Sequence, residues 1–140
     1  MTGRFFMENH HSVRVFHVLD GEAHNVRETP YGSVGELFSG SGIEMVWVRK
    51  QNEEIDPGWF SQSTVDLILV MKGQLRFEFE DEKEADKILK QGDLLVLPPN
   101  THCRAYRWPR ESEEGTIFLA SYPTNGRPGS HKSWTTDRAG

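Results

Sequence analysis

The fold turns on residues 92–108, "GDLLVLPPNTHCRAYRW". A glycine opens an apolar run, two prolines stop it, and Asn100-Thr101 forms a turn that leads into a second run rich in aromatic and branched residues. Two short strands joined by a tight corner give this pattern, because proline cannot continue a ladder and Asn tolerates left-handed backbone. The second run begins with adjacent His102 and Cys103. Neighbours on a strand point to opposite faces, so if Cys103 and Ala105 point inward, then His102, Arg104 and Tyr106 share the outer side.

The same rhythm extends outward in both directions. Strands are predicted at 13–18, 34–38, 43–49, 65–71, 75–80, 87–89, 94–98, 102–107 and 116–122, each bounded by Gly, Pro, Asn or Asp. In "LRFEFE" (75–80), Leu75, Phe77 and Phe79 alternate with Arg76, Glu78 and Glu80, so one face is wet. In "VDLILVM" (65–71) both faces are apolar except at Asp66, so that strand is covered on both sides. Gly73 in "KGQ" supplies the hairpin turn between them. The best helical stretch, "NEEIDPGWF" (52–60), is cut by Pro57 and Gly58. The chain reads as all-β, a barrel or sandwich of many short strands.

Composition narrows the function. The 140 residues suit one domain, and 36% hydrophobic content supports a packed core. A net charge of −5 with no basic stripe excludes a nucleic-acid surface, since phosphate contacts need clustered Lys and Arg. The three arginines of "RAYRWPR" are offset by "ESEE" directly after them. Cys103 is the only cysteine, so an intrachain disulfide and a structural zinc held by paired cysteines are excluded. The first twelve residues lack the apolar core of a signal peptide, and no apolar run reaches the roughly 18 residues of a membrane span. A cytoplasmic protein is expected.

The stretch "GDLLVLPP", with Gly92 nineteen positions after Gly73, resembles the second signature motif of the cupin superfamily. Gly92 and Pro98 match, Asn100 takes the place of a glycine, and Cys103 falls where that motif has a metal-binding histidine. The stretch "GWFSQSTVDLILVMKGQLRFEF" (58–79) is similar to the first cupin motif: Asp66 falls on its glutamate, while its two histidines fall on Phe60 and Gln62, or on Trp59 and Ser61. The resemblance covers residues 34–122. It implies a double-stranded β-helix, a small jelly-roll barrel, with residues 1–33 as an arm and extra strand, and 123–140 as a tail.

Cupins that use a metal hold it with imidazoles and a carboxylate. Here the resemblance leaves Gln62, Asp66 and Cys103 at those positions, and no catalytic metal or other cofactor is expected. If a divalent metal binds, Gln62, Asp66 and His102 are its candidate ligands. The ligand pocket expected at the barrel mouth comprises Trp47, Trp59, Gln62, Asp66 and Cys103, with Arg107 at the rim; the alternative is that these side chains simply fill the barrel. Cys103 among Ala, Val and Leu reads as an inert buried thiol, because His102 beside it faces the other way and cannot serve as its base; a nucleophilic role would need a base from another strand, such as His17 or His24. His10, His11 and His17 read as a solvated arm, and the acidic run 80–87 as a solvated hairpin tip. The partners expected are an unidentified small molecule and a second copy, forming a homodimer. The competing reading is a metal-dependent isomerase, dioxygenase or decarboxylase of the cupin group. A sensor half of a transcription regulator would need a DNA-binding partner, since this chain holds no helix-turn-helix.

Overall fold

Residues 12–124 are described by a computed structural model, and within them nearly every regular element is a strand. After a single 3-10 turn at Val18–Asp20 come β1 (His24–Thr29), β2 (Gly32–Gly40), β3 (Ile43–Lys50), β4 (Asp66–Lys72) and β5 (Gln74–Phe79). The chain continues through β6 (Lys87–Leu89), β7 (Leu94–Leu97), β8 (Cys103–Trp108) and β9 (Thr116–Pro123). Two antiparallel sheets result: one of six strands in the order β1-β2-β3-β9-β4-β7, and one of three in the order β6-β5-β8. This is the all-β architecture that the strand rhythm predicts.

The inner face of the large sheet carries Val46, Val48, Ile68, Val70, Phe118 and Ala120, and the small sheet answers with Leu75 and Phe77. All eight are buried, which closes a dry band between the sheets. The hairpin from β4 to β5 turns at Gly73, whose φ of +73° and approach to the Gly115 carbonyl leave no room for a Cβ. Asn100 holds the turn before β8 at φ +65°, the left-handed backbone expected of it.

One predicted strand fails and one strand was not predicted. Residues 13–17 form no strand; the first strand is β1, an edge strand with Val26 as its lone branched apolar residue and with a bulge between His24 and Arg27. It pairs with β2 through backbone groups, so its side chains are mostly exposed and give no alternating signal. The preceding segment instead lies on the outer face of the large sheet. There Phe16, Val18 and Ala23 pack with Leu37, Trp47 and Ile117, and the Trp47 indole N–H donates to the Val18 carbonyl at 2.8 Å. His10, His11 and the tail beyond Thr124 lie outside the described residues.

One end of the barrel is held by charge. The side chain of Glu53, only 1% exposed, accepts from the Arg107 backbone N–H at 3.0 Å and from Arg110 Nη1 at 2.8 Å. Arg107 Nε lies 3.2 Å from its other oxygen, an ion pair by distance though not of hydrogen-bond geometry. Arg110 Nη2 also donates to the Glu53 carbonyl at 2.6 Å, so the loop after β3 is clamped to the end of β8. Removing one member of a buried pair leaves an uncompensated charge, which costs far more than losing an exposed pair. Glu53→Ala is therefore expected to lower unfolding free energy by about 3–5 kcal/mol, measured by urea denaturation, whereas Lys87→Ala, which breaks the exposed pair to Glu84, changes it by less than about 1 kcal/mol.

Candidate functional site

At the other end of the barrel the loop between β3 and β4 crosses to the small sheet. Phe60 and Cys103 exchange two backbone hydrogen bonds, both 3.0 Å, and the Asn100 N–H donates to the Gln62 carbonyl at 2.6 Å. The crossing carries Gln62 to the start of β4, where its Nε2 donates to Asp66 Oδ2 at 3.0 Å. This bond fixes the amide: the reverse orientation would set the Gln62 oxygen against a carboxylate oxygen. Gln62 Oε1 is consequently aimed elsewhere, buried and without a hydrogen-bond partner, as is Thr64 Oγ1.

These groups line a small pocket together with Phe60, Leu97 and Cys103. Its enclosed part has room for about one water-sized group, and the space widens to about 200 Å3 when the open mouth is included. On the adjoining strand, next to Asp66 but outside the pocket lining, is a residue not anticipated from sequence. One step beyond the Leu67–Ser121 pair, the register sets Tyr122 of β9 beside Asp66, and its hydroxyl is also buried without a partner. Burial pushes the Tyr122 phenol far above its ordinary range, and the negative charges of Glu44 and Asp66 add to the effect, so the hydroxyl stays protonated as a donor. Glu44 lies opposite Tyr122 on β3 and is itself buried, accepting from Ser39 Oγ at 2.8 Å.

Of the six residues expected at the barrel mouth, the structure gathers Gln62, Asp66 and Cys103 and separates the other three. Trp47 is on the outer face of the large sheet under residues 16–23, because Val46 and Val48 occupy the inner face of β3. Trp59 is outside the small sheet, where Arg104 stacks on its ring at 4.3 Å, because the next residue, Phe60, takes the inward position. Arg107 does point inward, in phase with Cys103, but four residues further along β8, roughly 13 Å away at strand rise, in the Glu53 clamp. The outer face of β8 follows the expected alternation: Arg104 Nε donates to Glu78 at 2.8 Å and Tyr106 donates to the same carboxylate. Burial and that hydrogen bond push the Tyr106 phenol up to about 12.

The donor set does not fit the metal that the fold's better-known members carry. His102 is on the outer side, half exposed, with its Nδ1 3.4 Å from Glu80, so the expected trio of Gln62, Asp66 and His102 does not converge. Among the described residues no group of three or more His, Cys, Asp or Glu side chains is placed to hold a metal ion. One carboxylate, one amide oxygen and one thiol are a poor set for a borderline dication.

Two antiparallel sheets closed around a dry band, with a pocket at the open end between the β3–β4 crossing and the corner before β8, define a double-stranded β-helix: the chain has the cupin fold. Solved structures bear this out. A double-stranded β-helix protein from Klebsiella pneumoniae superposes with a TM-score of 0.64 at 14% identity, covering 84% of this chain and 95% of that one. An RmlC-like cupin from Methanocaldococcus jannaschii gives 0.58 at 14% identity (80% and 91% covered), and one from Shewanella frigidimarina gives 0.58 at 15% (74% and 86%). No family model and no curated protein matches the sequence.

Cys103 is 1% exposed within this site. As the only thiol in the chain, it is expected to react with a disulfide reagent in the native state only as fast as the barrel opens, and at the full rate of a free thiol in urea. A native rate near that of a free thiol, read by absorbance, would show an activated nucleophile instead.

Proposed function

We propose that the protein is a small cupin that binds a small molecule at the Gln62–Asp66 pocket and does so without a catalytic metal. The observation that carries this reading is the orientation of Gln62. A buried amide oxygen left without a partner costs free energy, and here Asp66 prevents the amide from turning to hide it. A ligand that donates to this oxygen recovers that cost, while Phe60 and Leu97 offer apolar surface beside it. Screening by thermal shift and amide-detected NMR is expected to find ligands that perturb residues 60–66 and 97–103, with binding lost in Gln62→Leu. Metal analysis of untagged protein is expected to show no stoichiometric iron, manganese, nickel or zinc. Stoichiometric metal that disappears in Asp66→Ala would instead support the metal-dependent enzyme.

The reading includes a cytoplasmic setting, which suits a chain with one cysteine; among the described residues no helix is long and apolar enough to cross a membrane. It also includes a homodimer. Leu67, Leu94 and Val96 form an exposed apolar strip on the outer face of β4 and the edge strand β7. The arm exposes Val13 at 98% and Val15 at 74%, two alternating branched residues on a segment that lies on the same sheet. A second copy is the occupant that matches an apolar arm to an apolar strip in one chain. Sedimentation is expected to give a dimer, and Leu94→Glu with Val96→Glu is expected to shift it to monomer; a wild-type monomer at all concentrations would rule the dimer out.

A further inference from the structure

We infer that residues Val13–Phe16 of one copy add a strand to the free edge of β7 in a second copy, the two copies exchanging these arms; the inference rests on the homodimer proposed above and adds how the copies join. The edges of the two sheets set the choice. An exposed edge carries unpaired N–H and C=O groups, and folded proteins blunt it with charge, a bulge or a cover. β1 is bulged and carries His24, Arg27 and Glu28. β6 is a three-residue strand that begins with Lys87. β8 is covered by Phe60, which pairs with Cys103, and by the Glu53 carboxylate on the Arg107 N–H. Among the described residues β7 has none of these devices: Leu94–Leu97 is apolar throughout and regular in register.

The ladder fixes which groups of β7 are open. The Val70 N–H donates to the Asp93 carbonyl at 3.1 Å, so antiparallel alternation turns the backbone groups of Leu95 and Leu97 toward β4 and those of Leu94 and Val96 outward. The side chains of Leu94 and Val96, both more than half exposed, stand on the outer face beside Leu67. The arm has the complementary deficit. Its sequence alternates as a strand does, yet among the described residues no backbone N–H or C=O of Val13, Arg14, Val15 or Phe16 makes a hydrogen bond. Arg14 and Phe16 face their own chain: Arg14 meets His24 and lies over the Phe16 ring at 4.9 Å, and Phe16 joins the cluster around Trp47. The alternate residues, Val13 and Val15, are left to solvent.

The arm cannot lie along β7 of its own chain. Phe16 is packed with Leu37, Trp47 and Ile117, on β2, β3 and β9. A strand added outside β7 would be three strand spacings beyond β9, roughly 14 Å, whereas Val13 is only roughly 10 Å of extended chain from Phe16. An unrelated extended peptide would pair the edge and leave the arm as it is. A second copy pairs both, and two-fold symmetry does so twice. Covering the exposed parts of Val13, Val15, Leu67, Leu94 and Val96 in both copies removes on the order of 1,000 Å2 from water, the size from which a specific interface holds.

The test uses the full chain with one cysteine added at an exposed position, in the arm (Val15→Cys) or on the edge (Leu94→Cys or Val96→Cys), the buried Cys103 being common to all. Arm and edge variants are mixed, left to exchange subunits and oxidised. A disulfide between arm and edge of different chains is expected in at least about tenfold excess over the product with Ile88→Cys, an exposed position on the small sheet. In the wild type the Leu94 and Val96 amides are expected to exchange hydrogen slowly, and about tenfold faster in Val13→Asp with Val15→Asp, which alters two exposed side chains and leaves the barrel folded. A dimer by sedimentation with no arm–edge link, or with protection that survives in the arm variant, overturns the strand addition and leaves the homodimer standing. A link formed preferentially between two Val96→Cys edges, or between arm and edge of one doubly substituted chain, also overturns it. A wild-type monomer at all concentrations removes both.

Discussion

Two backbone hydrogen bonds between Phe60 and Cys103 hold the open end of this barrel together, and the pocket depends on them. The loop from β3 to β4 has to leave the large sheet, cross to the small one and return, and a crossing of this kind strands backbone groups that water cannot reach. Reciprocal pairing with Cys103 satisfies Phe60, and the Asn100 N–H satisfies the Gln62 carbonyl two residues later. With its main chain anchored on both sides, Gln62 has one way to place its side chain, against Asp66. The orientation of one amide thus follows from a chain of backbone requirements that begins at the Asn100 turn.

The polar groups inside the barrel are sorted by position. Glu53 and Arg107 meet at one end as a buried, mutually neutralising clamp. Gln62, Asp66 and Tyr122 meet at the other, where the hydrogen-bonding capacity is not closed. Between them lies a layer of Val, Ile, Leu and Phe with no charge in it. The two ends use polar groups differently: the clamp ties loops together with opposite charges, while the pocket end pairs an amide with a carboxylate and leaves Gln62 Oε1 and the Tyr122 hydroxyl without a hydrogen-bond partner. Neither could move inward, because an unpaired polar group in the middle of the band would have no partner and no water.

Much of the fold was legible because strands obey a period of two and corners obey the chemistry of Gly, Pro and Asn. The strands from β2 onward match the alternating stretches to within a residue or two at either end, and the similarity of "GDLLVLPPN" to a cupin motif points to the right barrel. β1 was not legible, because an edge strand held by backbone bonds needs no apolar side chains. The site was half legible. Gln62, Asp66 and Cys103 lie on stretches whose register the glycine hairpin and the proline corner set, so their meeting could be inferred. Trp47 and Trp59 do not join them, because size alone does not make a side chain a pocket lining. On β3 both faces are apolar, and alternation alone cannot say which one is inside; the narrow barrel takes Val and sends Trp out. Tyr122 had a usable signal. It is in phase with Phe118 and Ala120, and an isolated acid on each of two apolar strands, Glu44 and Asp66, marks the level at which it would sit.

The outward placement of Trp47 also bears on where this chain can be shortened. Its indole N–H finds its acceptor at Val18, and Phe16, Val18 and Ala23, which precede the first strand, pack in the same cluster as its ring. A chain cut at the first residue of β1 would keep every strand and still lay bare a large aromatic ring and a buried donor. The packed unit therefore reaches back at least to Phe16, eight residues before the first strand, and the ladder of hydrogen bonds understates its extent.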